Sequence, residues 1–510
     1  MTDLDDRLAT LSPAKRALLE KLRLARQPSA DQPIPRIPDG PAPLSAEQRR
    51  LWYVLQLAAG YPVYTVPIGL RLRGDVDTGA MADALRDLVA RHEALRTAFR
   101  ESAGVPVQQV GDGSAFAPEI VDLRGDEWAE EEATYQGDAF ARRTFDYGRG
   151  EPFRARLLRL ADDDVRLLLA FHHLAGDGWS AGVMLRDLGE LYAARLAGRA
   201  PSLPELPIRF RDWAAWQQRP DAPPPAEDEA YWRDQLAGAP RVLELPTDHP
   251  RPPLQSWEGA KHPFDLSADL TERLRALARR EHATLYAVVA AAFALLLRRY
   301  TGEDDVLVGT MLANRPRPEL EQLVGFFANT LPLRVRLDGD PSVAELVRRA
   351  HAAAVGAQEH ASLPFDRIVE IADVPRDFSR PPLVQAVLTF ADSPANSLAI
   401  DGVEVEPLLL DPSVAIFDLT LSIEDRGATI SCLFQYASRL FDGGTVRRMA
   451  DHLLALLRAF ADDAARPVSR IRLAGDEETR VVAKWSRAEE AESPALLVHQ
   501  RVEAQARETP

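Results

Sequence analysis

Prolines crowd one stretch of this 510-residue chain: 12 of its 39 fall between residues 201 and 253, three of them in succession at 223–225. Proline lacks a backbone N–H and fixes φ, so neither a helix interior nor a central strand can run through such a stretch. The chain is thereby divided into two long halves, each of which must bury a core of its own. Before the divide, a helical pattern at residues 81–92 alternates with a strand-like run at 165–171. After it, helical patterns at 270–281 and 284–300 lead into a strand at 305–310. The same alternation on both sides predicts two α/β lobes. No short period recurs, which excludes a solenoid.

Composition narrows the function classes. With 46% hydrophobic and 27% charged residues the chain can bury a substantial core, so disorder is excluded. Its 61 basic and 77 acidic residues leave a net charge of −16, which argues against an extended nucleic-acid surface. The single cysteine, Cys432, allows neither an intrachain disulfide nor a cysteine zinc site, and reads as a buried apolar side chain in a reducing cytoplasm. The opening MTDLDD lacks the basic and apolar regions of a secretory signal. The longest apolar run, residues 285–297, falls short of the roughly 20 residues of a membrane-spanning helix and reads as a buried core helix. Residues 11–27 read as an amphipathic leader helix, with Ser12 as the expected N-cap and Pro13 at the first helical position. Its charges, Lys15, Arg16, Lys21, Arg23 and Arg26 against Glu20, suit either docking to an acidic partner or packing on the body.

The segment richest in chemistry is FHHLAGDGWS, residues 171–180. Strand alternation sends His172 and His173 to opposite faces as the strand ends, so the two have different jobs. Asp177 and Gly178 read as a turn, and Ser180 as the cap of a helix over 181–197 whose N-terminal amides point back at the histidines. One imidazole there can take a proton or orient a nucleophile near neutral pH, while backbone N–H groups stabilise an oxyanion. A hydrogen-bonded core pair and a metal site are the alternatives. The metal is the weaker, because none of the other histidines is near in sequence. His92 and His360 sit in motif-like stretches without paired chemistry nearby and are assigned no role, and Arg96 reads as one half of a structural ion pair.

HHxxxDG, here His172 to Gly178, resembles the signature of nonribosomal peptide synthetase condensation domains and of the wider acyltransferases similar to chloramphenicol acetyltransferase. Six further stretches resemble the remaining family motifs in order. They are LSAEQRRLW (44–52), RHEALRTAF (91–99), RFRDWAAW (209–216), VGFFANTLPLR (324–334), HASLPFD (360–366) and SRPPLVQ (379–385). The departures are Glu47 where alanine is usual, Ala361 and Ser362 for a common Gln-Asp, and Val384 for a frequent Phe.

The resemblance implies an α/β fold of two chloramphenicol-acetyltransferase-like lobes, a V-shaped pseudo-dimer with a central tunnel. The expected divisions are a leader helix and linker at 1–42, an N-terminal lobe at 43–218, an inter-lobe linker at 219–255, a C-terminal lobe at 256–470, and a linker with the start of an adenylation domain at 471–510. The implied reaction joins a donor acyl or peptidyl thioester on an upstream carrier protein to the amine of an aminoacyl thioester on a downstream carrier. The L-donor to L-acceptor subtype is expected, with lipo-initiating starter, D-donor and non-catalytic recruiting domains as alternatives. His173 is the expected proton acceptor or amine-orienting group, and Gly178 the backbone oxyanion donor. His172 is expected to be structural, as are Asp177 and its partner Arg315. Trp179, Ser180 and Asn329 are placed at the tunnel. No covalently bound cofactor is expected, because the phosphopantetheine arms belong to the carriers, and neither nucleic acid nor membrane is a partner. If Met1 is the native start, the donor carrier acts in trans.

Overall fold

The computed structural model describes residues 33–58, 60–219, 224–392, 398–486 and 497–509. The expected leader helix at 11–27 lies outside the described residues.

In chain order the strands are β1 (Ala42–Pro43), β2 (Thr65–Arg73), β3 (Thr97–Ser102), β4 (Val105–Val110), β5 (Glu119–Asp122), β6 (Phe153–Ala161) and β7 (Asp164–His172) in the first half. The second half holds β8 (Gly259–Leu266), β9 (Asp305–Leu312), β10 (Asn329–Arg336), β11 (Ala386–Asp392), β12 (Glu404–Leu408), β13 (Leu419–Asp425) and β14 (Ile430–Ala437). They build a sheet of order β12-β2-β7-β6-β5, a sheet of order β10-β9-β11-β13-β14-β8, and a small sheet of order β1-β4-β3. The first sheet packs on helices Thr78–Arg91 and Gly178–Leu196 around Leu70, Leu85, Leu167 and Leu188. The second packs on Ala268–Arg280, Leu285–Thr301 and Gly443–Asp462 around Leu274, Phe293, Leu421 and Leu453. Helix Leu285–Thr301 carries the long apolar run and is buried from Ala287 to Leu297, as a core helix must be. Cys432 is buried in the same core.

Side-chain start signals mark six of the helices. Ser45, Asp77, Asp177, Ser267, Thr284 and Ser342 each accept a backbone N–H from the first turn of the helix that follows. Ser45 also completes a reciprocal cap with Gln48.

The boundaries differ from the sequence expectation in three places. Residues before 43 are not all linker: Ile34 is buried with Ile208, Phe210 and Trp213, and the Ile37 N–H donates to Asp212 Oδ1 at 2.9 Å. Helix Ala226–Leu236 lies inside the proline-dense stretch, and its Trp232 is buried with Leu331, Leu333 and Ile368 of the second half. Prolines end regular elements but also start them: Pro225 stands at the N-cap of that helix, where a missing N–H costs nothing. Finally, β12 comes from the second half and pairs antiparallel with β2 at the edge of the first sheet, Glu404 to Leu408 opposite Arg73 to Gly69. Period-2 patterning locates a strand but does not say which sheet it joins.

Candidate active site

The two histidines stand where β7 runs out. Thr65 of β2 pairs with His172, and one residue further the His173 N–H donates to the Tyr64 carbonyl at 2.9 Å. The turn then occupies residues 173–175, and helix Gly178–Leu196 begins with Asp177 as its N-cap. This corrects the sequence reading, which placed the turn at Asp177–Gly178 and the cap at Ser180. The Asp177 carboxylate accepts the Ser180 N–H from extended backbone, so Ser180 becomes the third helical residue.

Hydrogen bonds give the histidines opposite tautomers. Nδ1 of His173 lies 3.0 Å from the Gly176 carbonyl oxygen, which can only accept, so Nδ1 carries the proton and Nε2 is left with its lone pair. Nδ1 of His172 instead accepts the Leu174 N–H at 3.1 Å, which places its proton on Nε2. His172 is buried among Phe145 and Tyr147, and burial, helped by the charges of His173 and Arg154, holds its pKa down at about 3. It is neutral at any working pH. Burial also holds His173 below the ordinary imidazole value, against an opposing pull from Asp177. The His173 ring is walled by Phe171 and Tyr64 from the first half and by Phe326 from the second, with ring centroids 6.5, 6.1 and 5.4 Å away. Gln48 supports the turn from behind, its Nε2 donating to the Leu174 carbonyl at 2.7 Å.

Asp177 has a different neighbourhood. Its carboxylate is buried and accepts from the Ser180 N–H, from Arg315 at 3.0 and 3.1 Å, and from the Phe327 and Ala328 N–H groups at 3.0 and 3.2 Å. Ser180 Oγ accepts the Gly325 N–H at 3.1 Å. Two side chains of the first half thereby hold the 325–328 segment of the second. That approach requires glycine at 325, because a Cβ there would lie 1.9 Å from the Phe210 ring.

The other expected site residues are distributed more widely. Gly178 is exposed, with open space beside its Cα, and as the first helical residue its N–H has no acceptor within the helix. Trp179 is 48% exposed, and its indole N–H donates to the Glu321 carbonyl at 2.8 Å. It tethers the helix start and makes no ring contact with His173 among the described residues. Asn329 is buried rather than lining open space: its amide donates to the Ala361 and Leu363 carbonyls at 3.1 and 2.8 Å and accepts the Phe365 N–H at 3.1 Å. Arg96 grips the carbonyls of Val89, Ala90 and Gly111, not a carboxylate. His92 and His360 do have partners, Asp187 at 3.0 Å and Asp228 at 2.7 Å, both too distant in sequence to be foreseen. Sequence reasoning missed Tyr64 altogether, which lies outside the seven motifs. It also missed the contact of Gln48, which lies inside one. Among the described residues no group of three histidine, cysteine or acidic side chains converges as a metal site, and no single helix is long and apolar enough to cross a membrane.

A half-buried imidazole with a free Nε2, aromatic walls from both halves and a helix N-terminus beside it define a proton-transfer site of the acyl-transfer kind. A family profile described as "Condensation domain" matches residues 39–482, and the chain belongs to that family, the condensation domains of nonribosomal peptide synthetases. These domains are amide-bond-forming acyltransferases. The chain is 42% identical over 486 residues to phosphinothricin tripeptide synthetase PhsC of Streptomyces viridochromogenes, covering 92% of this chain and 44% of that protein. It is 36% identical over 474 residues to malpinin synthetase of Mortierella alpina, covering 92% of this chain and 6% of the relative. The chain thus spans less than half the length of these relatives. Among solved structures, the X-domain in complex with OxyB from teicoplanin biosynthesis superposes with a TM-score of 0.76 at 29% identity, covering 87% of this chain and 99% of that one. The first condensation domain of the calcium-dependent antibiotic synthetase has a TM-score of 0.73 at 21% identity, covering 85% and 99%, and shares the fold.

Proposed function

We propose that this chain joins a donor acyl or peptidyl thioester to the amine of an aminoacyl thioester, each carried on the phosphopantetheine arm of a partner carrier protein, with L-configured donor and acceptor. The observation that carries this reading is the tautomer of His173. With Nδ1 committed to Gly176, Nε2 is a base facing the meeting of the two halves. A thioester is already activated, so holding amine and carbonyl together supplies much of the acceleration. Nε2 hydrogen-bonds the attacking amine and takes its proton, and the Gly178 N–H at the helix start receives the developing oxyanion. His172, Asp177 and Arg315 keep the turn in place. The arms reach His173 along a passage between the halves, and residues beyond 471 lead toward an adjoining adenylation domain in a cytoplasmic synthetase.

The test loads candidate acyl groups on an upstream carrier and aminoacyl groups on a downstream one, then reads the condensed product by intact mass spectrometry. Transfer onto the acceptor carrier is expected, and its loss in His173→Ala with carrier binding retained. A second reading, a platform that recruits another enzyme, draws on the likeness to the X-domain described in complex with OxyB. Absence of condensed product from the wild type with carrier binding retained would favour it, whereas wild-type product formation in His173→Ala would count against the base role of His173.

A further inference from the structure

Tyr64 occupies a backbone position at which a tyrosine is costly. The Thr65 N–H donates to the Pro62 carbonyl at 3.2 Å, closing a turn whose third residue, Tyr64, has φ of 61°. Glycine or asparagine is the usual occupant of such a position, since a Cβ crowds the backbone there. Strain of this kind persists where the surrounding structure holds it, and it concentrates at functional sites. Three observations show what the strained residue faces. Its carbonyl accepts the His173 N–H at 2.9 Å. Its ring stands edge-on to the His173 imidazole, at 80° and 6.1 Å between centroids. Its hydroxyl makes no hydrogen bond among the described residues, although the phenol is held protonated because burial raises its pKa. Arg50 is the charged group near it. A neutral hydroxyl without a partner among the described residues, on a ring that stands against the base where the two halves meet, is a donor left for something that enters the site.

We propose that Tyr64 is a catalytic residue whose hydroxyl donates a hydrogen bond to the carbonyl oxygen of the donor thioester as that oxygen becomes an oxyanion, while its carbonyl and ring position His173. This rests on the condensation reading. In the step, the amine nitrogen bonds to the thioester carbon and the carbonyl π pair moves onto oxygen, where the Tyr64 O–H and the Gly178 N–H receive it. His173 Nε2 takes the proton from nitrogen. Collapse of the intermediate breaks the C–S bond, and the proton passes from His173 to the departing thiolate.

The experiment measures single-turnover amide formation by wild type, Tyr64→Phe and His173→Ala on one donor and acceptor carrier pair, with melting temperature alongside. Removing one oxyanion donor is expected to slow Tyr64→Phe about 100-fold. The half-saturating carrier concentration, melting temperature and acid limb of the pH profile should stay unchanged, because ring and backbone are kept. A Tyr64→Phe rate equal to wild type would overturn the proposal, whether or not Tyr64→Ala is inactive, since a wall-only role needs no hydroxyl. Absence of product from the wild type itself would overturn the condensation reading, and the proposal with it.

Discussion

Two of the ion pairs that join the halves of this molecule differ in every respect that sets an ion pair's strength. Asp177 and Arg315 are 3.0 Å apart with side chains 1% and 3% exposed. Arg315 also donates to the carbonyls of Ala313, Leu320 and Leu323, and its guanidinium lies 4.2 Å from the Phe327 ring centroid. Arg50 and Asp366 approach only to 3.9 Å, with side chains 25% and 45% exposed, and Arg50 rests over the Phe365 ring. With nearly half of the Asp366 side chain open to water and no hydrogen bond closing the gap, solvent screens this pair and its attraction is small. The first pair satisfies nearly every charge it buries and works as a permanent joint next to the histidine turn. The second can part at little cost.

The sharpest way to break this contrast is to remove one partner from each pair. Arg315→Ala leaves the Asp177 carboxylate buried without its cation, and a loss of about 3–5 kcal/mol is expected in chemical denaturation. A loss below about 1 kcal/mol, the size of a surface pair, would show that the joint does not matter. Gly325→Ala attacks the same joint sterically through Phe210, with about 1–3 kcal/mol expected, read as a lower denaturation midpoint. Acid acts on the histidine turn itself. His172 titrates near 6.5 when unfolded and at about 3 when folded, so the unfolded state binds the proton first. Stability contributed by this site is therefore full above about pH 6.5 and falls by about 1.4 kcal/mol per pH unit toward about pH 3. His172→Gln should flatten that slope in denaturation curves taken across the range. The smallest effect belongs to the outer pair: Asp366→Asn is expected to change stability by about 0–1 kcal/mol, with the difference shrinking further in salt. A cost comparable to Arg315→Ala would erase the distinction between the pairs.

The same contrast explains what was legible in the sequence. Helix Leu285–Thr301 and strand β7 could be read because hydrophobic period and caps are local signals. The seven motifs carried the family and brought His172, His173 and Asp177 to notice, and the resemblance pointed to Arg315 in the stretch LANRPRPEL (312–320) between two of them. Geometry that depends on distant segments was illegible. Nothing in the chain before β2 announces that Tyr64 will lie against His173, or that β12 will cross to the other sheet. Asn329 and Trp179 were placed at the passage because their motifs border the site, whereas the first is spent holding the 361–365 segment and the second a neighbouring turn. The Asp177 N-cap was missed in favour of Ser180 because both residue types cap well, and only the fold decides which carries the extended backbone.

The central claim is that His173, fixed in one tautomer by Gly176, supplies the base for amide formation between two carrier-bound substrates. It is tested most directly by single-turnover transfer from a loaded donor carrier to a loaded acceptor carrier, followed by intact mass spectrometry across pH. The account predicts a wild-type rate that is level near neutral pH and falls on the acid side below the ordinary imidazole value, as Nε2 is protonated. It predicts a rate about 10²–10⁴-fold lower in His173→Ala, without that acid limb. A His173→Ala protein that condenses the pair at the wild-type rate, with the wild-type pH profile, would contradict it.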